Sequence, residues 1–184
     1  MKVFFVTVLA GLLLFTGCKK QDINAPGNDA QLSNTNVNAD LELLNFYKDL
    51  PKQTLHELQQ ARASTARYRK IENAFKDGYA DIHVRVENMG YHFMKSSLVN
   101  ASFDVGNPEI LVYNRDEAGN YELVAVEYAV PIDATPDVAP EGFTGTADVW
   151  ERNTTFGLWL CHAWVWKNNP DGAFNETNPL VEVH

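Results

Sequence analysis

The sequence predicts an α+β domain, in which N-terminal helices are followed by an antiparallel β-sheet with long loops. Three observations support this class. Apolar residues recur at helical spacing between residues 54 and 76, the apolar pattern becomes strand-like from residue 110 onwards, and a polar turn with a glycine joins the first two strand-like runs. Helices that precede a set of strands in this way are typical of α+β domains.

Two helices are predicted in the first part of the domain. Asp40 has a side chain that can cap a short helix, and the apolar residues of 41–50 follow it as far as Pro51, which ends the helix. A longer helix is predicted over 54–76, because Gly78 stands where a helix commonly ends.

Three strands are predicted in the second part. Residues 110–113 and 121–130 form strand-like runs on either side of the polar turn 114–120, and residues 156–166 form the third run. Residues 131–152 are rich in Pro, Gly and Asp, and we expect a long loop that carries function or covers a sheet edge.

The N-terminus has the pattern of a bacterial export signal. Met1 and Lys2 give a short positive region, and the largely apolar run 3–15 is shorter than the roughly 20 residues that a membrane-spanning helix needs. Phe-Thr-Gly then leads to Cys18 and resembles the lipobox of bacterial lipoproteins. The resemblance implies that residues 1–17 are a lipoprotein signal peptide and that the Cys18 thiol carries lipid, palmitate included. Ordinary secretion with an incidental cysteine is the alternative.

The residues that follow divide into a tether and a domain. Residues 18–39 are rich in polar residues, Gly and Pro, and they lack the apolar content that would offset the entropy lost on folding, so we expect a disordered tether. Residues 40–184 have the length and composition of a single globular α+β domain. The expected location is the cell envelope, with the domain lipid-anchored at the periplasmic or cell-surface face, and the outer membrane is the expected membrane.

Charge and cysteine content limit the partners. The chain has 24 acidic and 15 basic residues and a net charge of −9, so phosphate backbones are repelled and nucleic acid is excluded. The membrane, through the lipid anchor, and a small molecule or an envelope component are the expected partners. With Cys18 lipidated, Cys161 has no partner for an intrachain disulfide, and packing must hold the core.

Three polar residues in otherwise apolar segments form a candidate metal site. Strand alternation places Glu127 among small apolar residues of 121–130, and it places His162 among leucines and tryptophans of 157–167. His92 lies in the segment Met-Gly-Tyr-His-Phe. Two imidazoles and one carboxylate suit Zn, Cu or Fe, and they leave coordination positions open for water or a substrate.

Structural roles are the alternatives for these polar residues. Each side chain would then be buried and hydrogen-bonded, with His162 bonded to Glu127 as a core ion pair and His92 capping a loop. Arg67 offers a further charge, either for binding an anion or for an ion pair with Glu72 or Glu127.

An aromatic platform is a second candidate site. Tyr91, Trp164 and Trp166 occur in the same segments as the histidines, and exposed rings would bind a glycan or another apolar ligand. A core packed with aromatic residues is the alternative interpretation.

Signatures of common enzyme classes are missing. The sequence has no Gly-x-Ser-x-Gly elbow, no Walker-type phosphate loop, no His-Glu-x-x-His pair and no Cys-x-x-Cys pair. The sequence therefore leaves open whether the domain is an enzyme. A binding domain is the leading hypothesis, and a purely structural envelope component is a further alternative.

Several motifs occur in an order that points to a family. They are TARYRKIENAFKDGY (65–79), MGYHF (89–93), PEILVY (108–113), LVAVEY (123–128) and GLWLCHAWVWKNNPDGAF (157–174). Over residues 60–181 the chain resembles a family of uncharacterised secreted bacterial proteins and lipoproteins. The resemblance implies the fold and an extracytoplasmic location, and it implies no activity. Family variants with a cysteine after the first helix and another near the C-terminus look disulfide-linked, whereas this chain has neither cysteine.

We predict that Cys18→Ser releases the chain from the membrane, because the lipid on this sulfur is the expected anchor. Fractionation should find the variant in the soluble extract, and mass spectrometry should find acyl groups on the N-terminal peptide of the unchanged chain but not on that of Cys18→Ser. Cys161→Ala is the matched control and should remain with the membrane. An unmodified Cys18 sulfur in the exported protein would contradict the prediction.

Overall fold

The computed structural model describes residue 38 and residues 40–184. The predicted signal peptide 1–17, the lipidation site Cys18 and the predicted tether 18–39, apart from residue 38, lie outside the described residues. Within the described part, no helix combines the length and the apolar character that crossing a membrane requires.

The described residues form a few helices and a six-stranded antiparallel sheet, which confirms the α+β class. Residues 40–46 are helical. The helices that follow are α1 (Lys52–Thr65) and α2 (Ile71–Lys76), with short 3-10 turns at Ala66–Arg69, Ser96–Leu98 and Ile132–Ala134. The strands are β1 (Ala80–Val86), β2 (Gly90–Met94), β3 (Ile110–Arg115), β4 (Tyr121–Pro131), β5 (Glu151–Asn153) and β6 (Leu158–Ala163).

The single helix predicted over 54–76 is wrong, because the chain breaks between α1 and α2. Lys70 adopts an extended conformation, with φ −96° and ψ 105°. The break frees the carbonyl of Tyr68, which accepts a hydrogen bond of 2.7 Å from the Tyr113 hydroxyl in the sheet. A tertiary contact thus satisfies a group that a continuous helix would have bonded internally.

The sheet has the strand order β1-β2-β3-β4-β6-β5, and all neighbouring strands are antiparallel. The predicted runs 110–113 and 121–130 are confirmed as the hairpin of β3 and β4. The third predicted strand, 156–166, is shorter as β6, because the chain turns where Val165 N–H donates to Ala163 O at 2.9 Å. The sequence did not predict β1, β2 or β5.

Each face of the sheet carries an apolar cluster. On one face, the helices and the loop 131–152 pack on an aromatic layer, and the loop contributes the buried ring of Phe143. The other face carries a smaller cluster, which includes Ile110, Val112, Ala125 and Trp164. Because no helix is part of this smaller cluster, space remains beside it for a pocket.

The approach of β2 to β3 depends on Gly90, which has a φ of +114°. A Cβ at this position would lie 2.5 Å from the backbone oxygen of Tyr113. We expect Gly90→Ala to lower the free energy of unfolding by about 3 kcal/mol or more, because the two strands must separate to admit the methyl group.

Gly78→Ala is the matched control for this prediction. Gly78 also has a positive φ, +94°, but nothing lies within 4 Å of its ideal Cβ position. Gly78→Ala should therefore lower the free energy of unfolding, measured in urea, by only about 1–2 kcal/mol, because the alanine is strained at a positive φ but clashes with no neighbour. Equal destabilisation by the two variants would contradict a steric role for Gly90.

Candidate metal centre

Three strands of the sheet each contribute one polar side chain to a common site. His92 comes from β2, Glu127 from β4 and His162 from β6. Glu127 and His162 are direct cross-strand partners, whereas His92 is paired with Val112 of the intervening strand β3. His92 and Glu127 therefore reach each other across β3, which the twist and curl of the sheet permit.

The separations of the donor atoms suit one metal ion. One ring nitrogen of each histidine and one carboxylate oxygen all lie within 4.8 Å of one another. His162 Nδ1 is 3.4 Å from Glu127 Oε1, and His92 Nε2 is 3.8 Å from Glu127 Oε2. Ligands bound tetrahedrally at about 2.1 Å lie about 3.4 Å apart, whereas hydrogen bonds between such atoms are about 2.7–3.2 Å long. Both separations are longer than direct hydrogen bonds and run to different carboxylate oxygens, and the three groups are close enough to hold one ion after small side-chain shifts.

His92 is oriented by the backbone of β1. Its Nδ1 lies 3.2 Å from the carbonyl oxygen of Val84. Because a carbonyl only accepts, the hydrogen is on Nδ1, and Nε2 presents a lone pair towards Glu127. Histidines that bind metals commonly donate their other ring N–H to such a partner, which fixes the tautomer and the ring.

Burial determines the charges in the site when no metal is present. It raises the pKa of Glu127 to about 8, and the negative charges of Glu151 and Glu176 raise this pKa further. Burial also lowers the pKa of His162 to about 3, with a contribution from His92, and it lowers the pKa of His92. At neutral pH both imidazoles are therefore neutral and Glu127 holds its proton. The core ion pair between His162 and Glu127 that the sequence left open is not favoured.

His162 is not fully satisfied by the described residues. Its Nε2 is buried, and no described residue forms a hydrogen bond with it. The ring stacks on Trp164, with centroids 5.9 Å apart and an angle of 15° between the planes. A purely structural histidine would be expected to use both ring nitrogens, since buried polar atoms normally have partners.

The three side chains lie at the buried end of a pocket of about 190 Å³. Its walls are mostly apolar, whereas Glu151, Phe156 and Glu176 are exposed, and Asn153 is half-buried. The sequence did not identify the two acids, because one stands in a three-residue edge strand and the other in an irregular segment near the C-terminus. No local pattern marks either position.

The structure does not bring the predicted aromatic platform together. Tyr91 and Trp164 are 2% and 0% exposed and belong to clusters on opposite faces of the sheet. Trp166 is half-buried beside α1, with the guanidinium of Arg62 4.2 Å above its ring. Because β6 ends and the chain turns after Ala163, Trp166 does not follow the alternation of side chains along that strand. The packed aromatic core, which the sequence offered as the alternative, accounts for these three rings.

Arg67 lies apart from the candidate metal centre. Its exposed guanidinium forms an ion pair of 3.1 Å with Asp77, and it lies over the ring of Tyr68. The partners considered from the sequence were Glu72 and Glu127, and neither is used. The surface ion pair explains Arg67 without a bound anion.

Among known proteins, no family pattern, no curated protein and no solved structure matches the chain. The resemblance to secreted bacterial proteins stays a prediction.

A further buried carboxyl group, Glu109, lies outside the pocket lining. It is 2% exposed, and one of its oxygens accepts a hydrogen bond of 3.0 Å from the backbone N–H of Ala129. This hydrogen bond satisfies a backbone N–H of β4 that lies beyond the last residue of β4 paired with β3. Burial raises the pKa of Glu109 to about 7, and the bond from Ala129 opposes part of this shift.

We predict that Glu109 makes the protein less stable as the pH rises from about 4.5 to about 7. The unfolded chain releases this proton near pH 4.5, whereas the folded chain retains it to about pH 7, so folding binds a proton in this window. Relative to Glu109→Gln, the unchanged protein should lose about 3 kcal/mol over the window. Urea unfolding at several pH values measures the difference.

Glu117→Gln, in the exposed turn between β3 and β4, is the matched control. Its pH profile should follow that of the unchanged protein. If the free energy of unfolding varied with pH in the same way for Glu109→Gln and for the unchanged protein, the prediction would be contradicted.

Proposed function

We propose that this protein is a lipid-anchored envelope protein that binds one transition-metal ion, Zn, Cu or Fe, through His92, Glu127 and His162. The observation that carries the proposal is the convergence of three buried donor groups from three strands, at separations that suit one ion. The anchor part of the proposal is supported by the export signal and the Cys18 motif alone.

The donor set supports a metal of this class. Neutral imidazole is the form of histidine that binds metals, and burial keeps both rings neutral. Glu127 would lose its proton on binding, so its negative charge would offset part of the charge of a divalent ion inside the protein. Two nitrogens and one carboxylate oxygen suit Zn, Cu and non-haem Fe better than Ca or Mg, which prefer oxygen ligands alone.

The pocket supports an open centre. Structural zinc sites are closed by four protein ligands, whereas catalytic and ligand-binding sites keep a position for water or a substrate. Three protein ligands at the end of a pocket match the second arrangement. We therefore propose a centre that acts on or binds a small molecule, with the remaining coordination positions directed into the pocket.

We predict that the full chain, purified without a polyhistidine tag, binds about one metal ion per chain. Elemental analysis before and after chelation measures the content, and a thermal melt with Zn(II), Cu(II) or Fe(II) added separately should show a higher Tm than the chelated protein, because a ligand that binds only the folded state stabilises it. Glu127→Gln and His162→Gln should each weaken binding at least about tenfold.

His56→Ala is the matched control, because His56 is an exposed residue of α1. It should bind the metal as the unchanged chain does. Circular dichroism of the glutamine variants separates loss of the site from loss of the fold. No bound metal, with a Tm that none of the three ions changes, would refute the proposal.

A further inference from the structure

We infer that the pocket above the triad binds a small organic cation, which has an apolar body and a positively charged amine group at the pocket mouth. The inference rests on the proposed function in taking the His92, Glu127 and His162 end of the pocket as the functional end. It adds the chemical class of the ligand, which the metal centre alone does not specify.

The charge at the mouth favours a cation. Glu151 and Glu176 are exposed lining residues, and their carboxyl groups contact each other. The same lining contains no Lys or Arg among the described residues. A positively charged group between the two mouth acids would relieve their mutual repulsion, whereas an anionic ligand would be repelled by them.

The walls favour an apolar body. Between the mouth acids and the buried end lie aliphatic side chains of β1, β2 and β6, for example Ile82, Met94 and Leu158. At the rim, Phe156 and Val86 are 53% and 40% exposed, although their side chains are apolar. A hydrated metal ion at the mouth would leave these surfaces in water, whereas an alkyl or aryl chain would cover them.

The buried end provides independent evidence for a ligand. His162 lines the pocket with a side chain that is 4% exposed, and its Nε2 has no hydrogen-bond partner among the described residues. An unsatisfied buried group of this kind indicates a space that receives a ligand or ordered water. The apolar body of the cation would lie along the aliphatic walls with its amine at the mouth, and the polar end beside His162 would keep room for the metal or for water.

Three probes with the same six-carbon chain test the inference: n-hexylammonium, n-hexanol and hexanoate. Calorimetric titration of the chelated full chain should give an affinity for hexylammonium about tenfold higher than for hexanol, and no binding of hexanoate. The metal-loaded chain should keep the preference for hexylammonium over hexanol. Glu151→Gln and Glu176→Gln should each lower the affinity for hexylammonium about threefold to tenfold and leave hexanol unchanged. Glu117→Gln, with the same loss of charge on an exposed turn, should change neither.

The outcomes separate this inference from the metal proposal. Selective binding of hexylammonium by a chain that takes up no metal would support the cation pocket and refute the metal centre alone. Metal uptake without binding of hexylammonium, or with equal affinities for the three probes, would overturn the cation pocket alone. A second metal ion bound by Glu151 and Glu176 and not displaced by hexylammonium would also overturn it.

Discussion

The structure depends on how three ionisable side chains are accommodated inside an apolar sheet. Strands β2, β3 and β4 are buried along most of their length, and the run Leu-Val-Ala-Val-Glu-Tyr-Ala-Val of β4 reads as almost continuously apolar, as expected for a strand covered on both faces. Three ionisable side chains in such a sheet are unfavourable unless something satisfies them. The sheet reduces the problem by bringing the three together, since His92, Glu127 and His162 can then share one partner. Their convergence is the feature from which both the pocket and the proposed function follow.

The opposite face of the sheet is fixed by tyrosine hydroxyls. Tyr79, Tyr113 and Tyr128 each pack their ring in the aromatic layer and donate to a backbone carbonyl outside the sheet, at distances of 2.7, 2.7 and 2.9 Å. Each bond satisfies a buried hydroxyl and also holds a helix end or a loop against the strands. A framework tied in this way on one face restricts movement of the strands that carry the donors on the other. Rigid elements behind a site are what a metal centre or a selective pocket needs.

Sequence patterns predicted the three donors and their grouping, but they could not predict the pocket around them. Alternation correctly placed Glu127 opposite Tyr128, and His162 opposite the buried Cys161, because a regular strand has a period of two. The same reasoning failed at Leu123, which faces the aromatic layer, because the register of β3 and β4 shifts between Val112 and Tyr113. Bulges, the break between α1 and α2, and the short strand β5 arise from tertiary contacts that no local pattern records. The two acids at the pocket mouth were missed for the same reason.

Within the part of the chain that the structure describes, Cys161 is free, so the proposed centre would supply a cross-link that no disulfide there provides. Glu127 lies 35 residues after His92 along the chain, and His162 lies 35 residues after Glu127. An ion bound by all three would close two long loops at once and would cross-link three strands of one sheet. A cross-link that closes a loop of this length removes about 3–4 kcal/mol of conformational entropy from the unfolded chain in the simplest treatment of disulfides. In the proposed function, the ion would therefore stabilise the domain in the way a disulfide would, and the cell envelope would have to supply metal to maintain both the site and the fold.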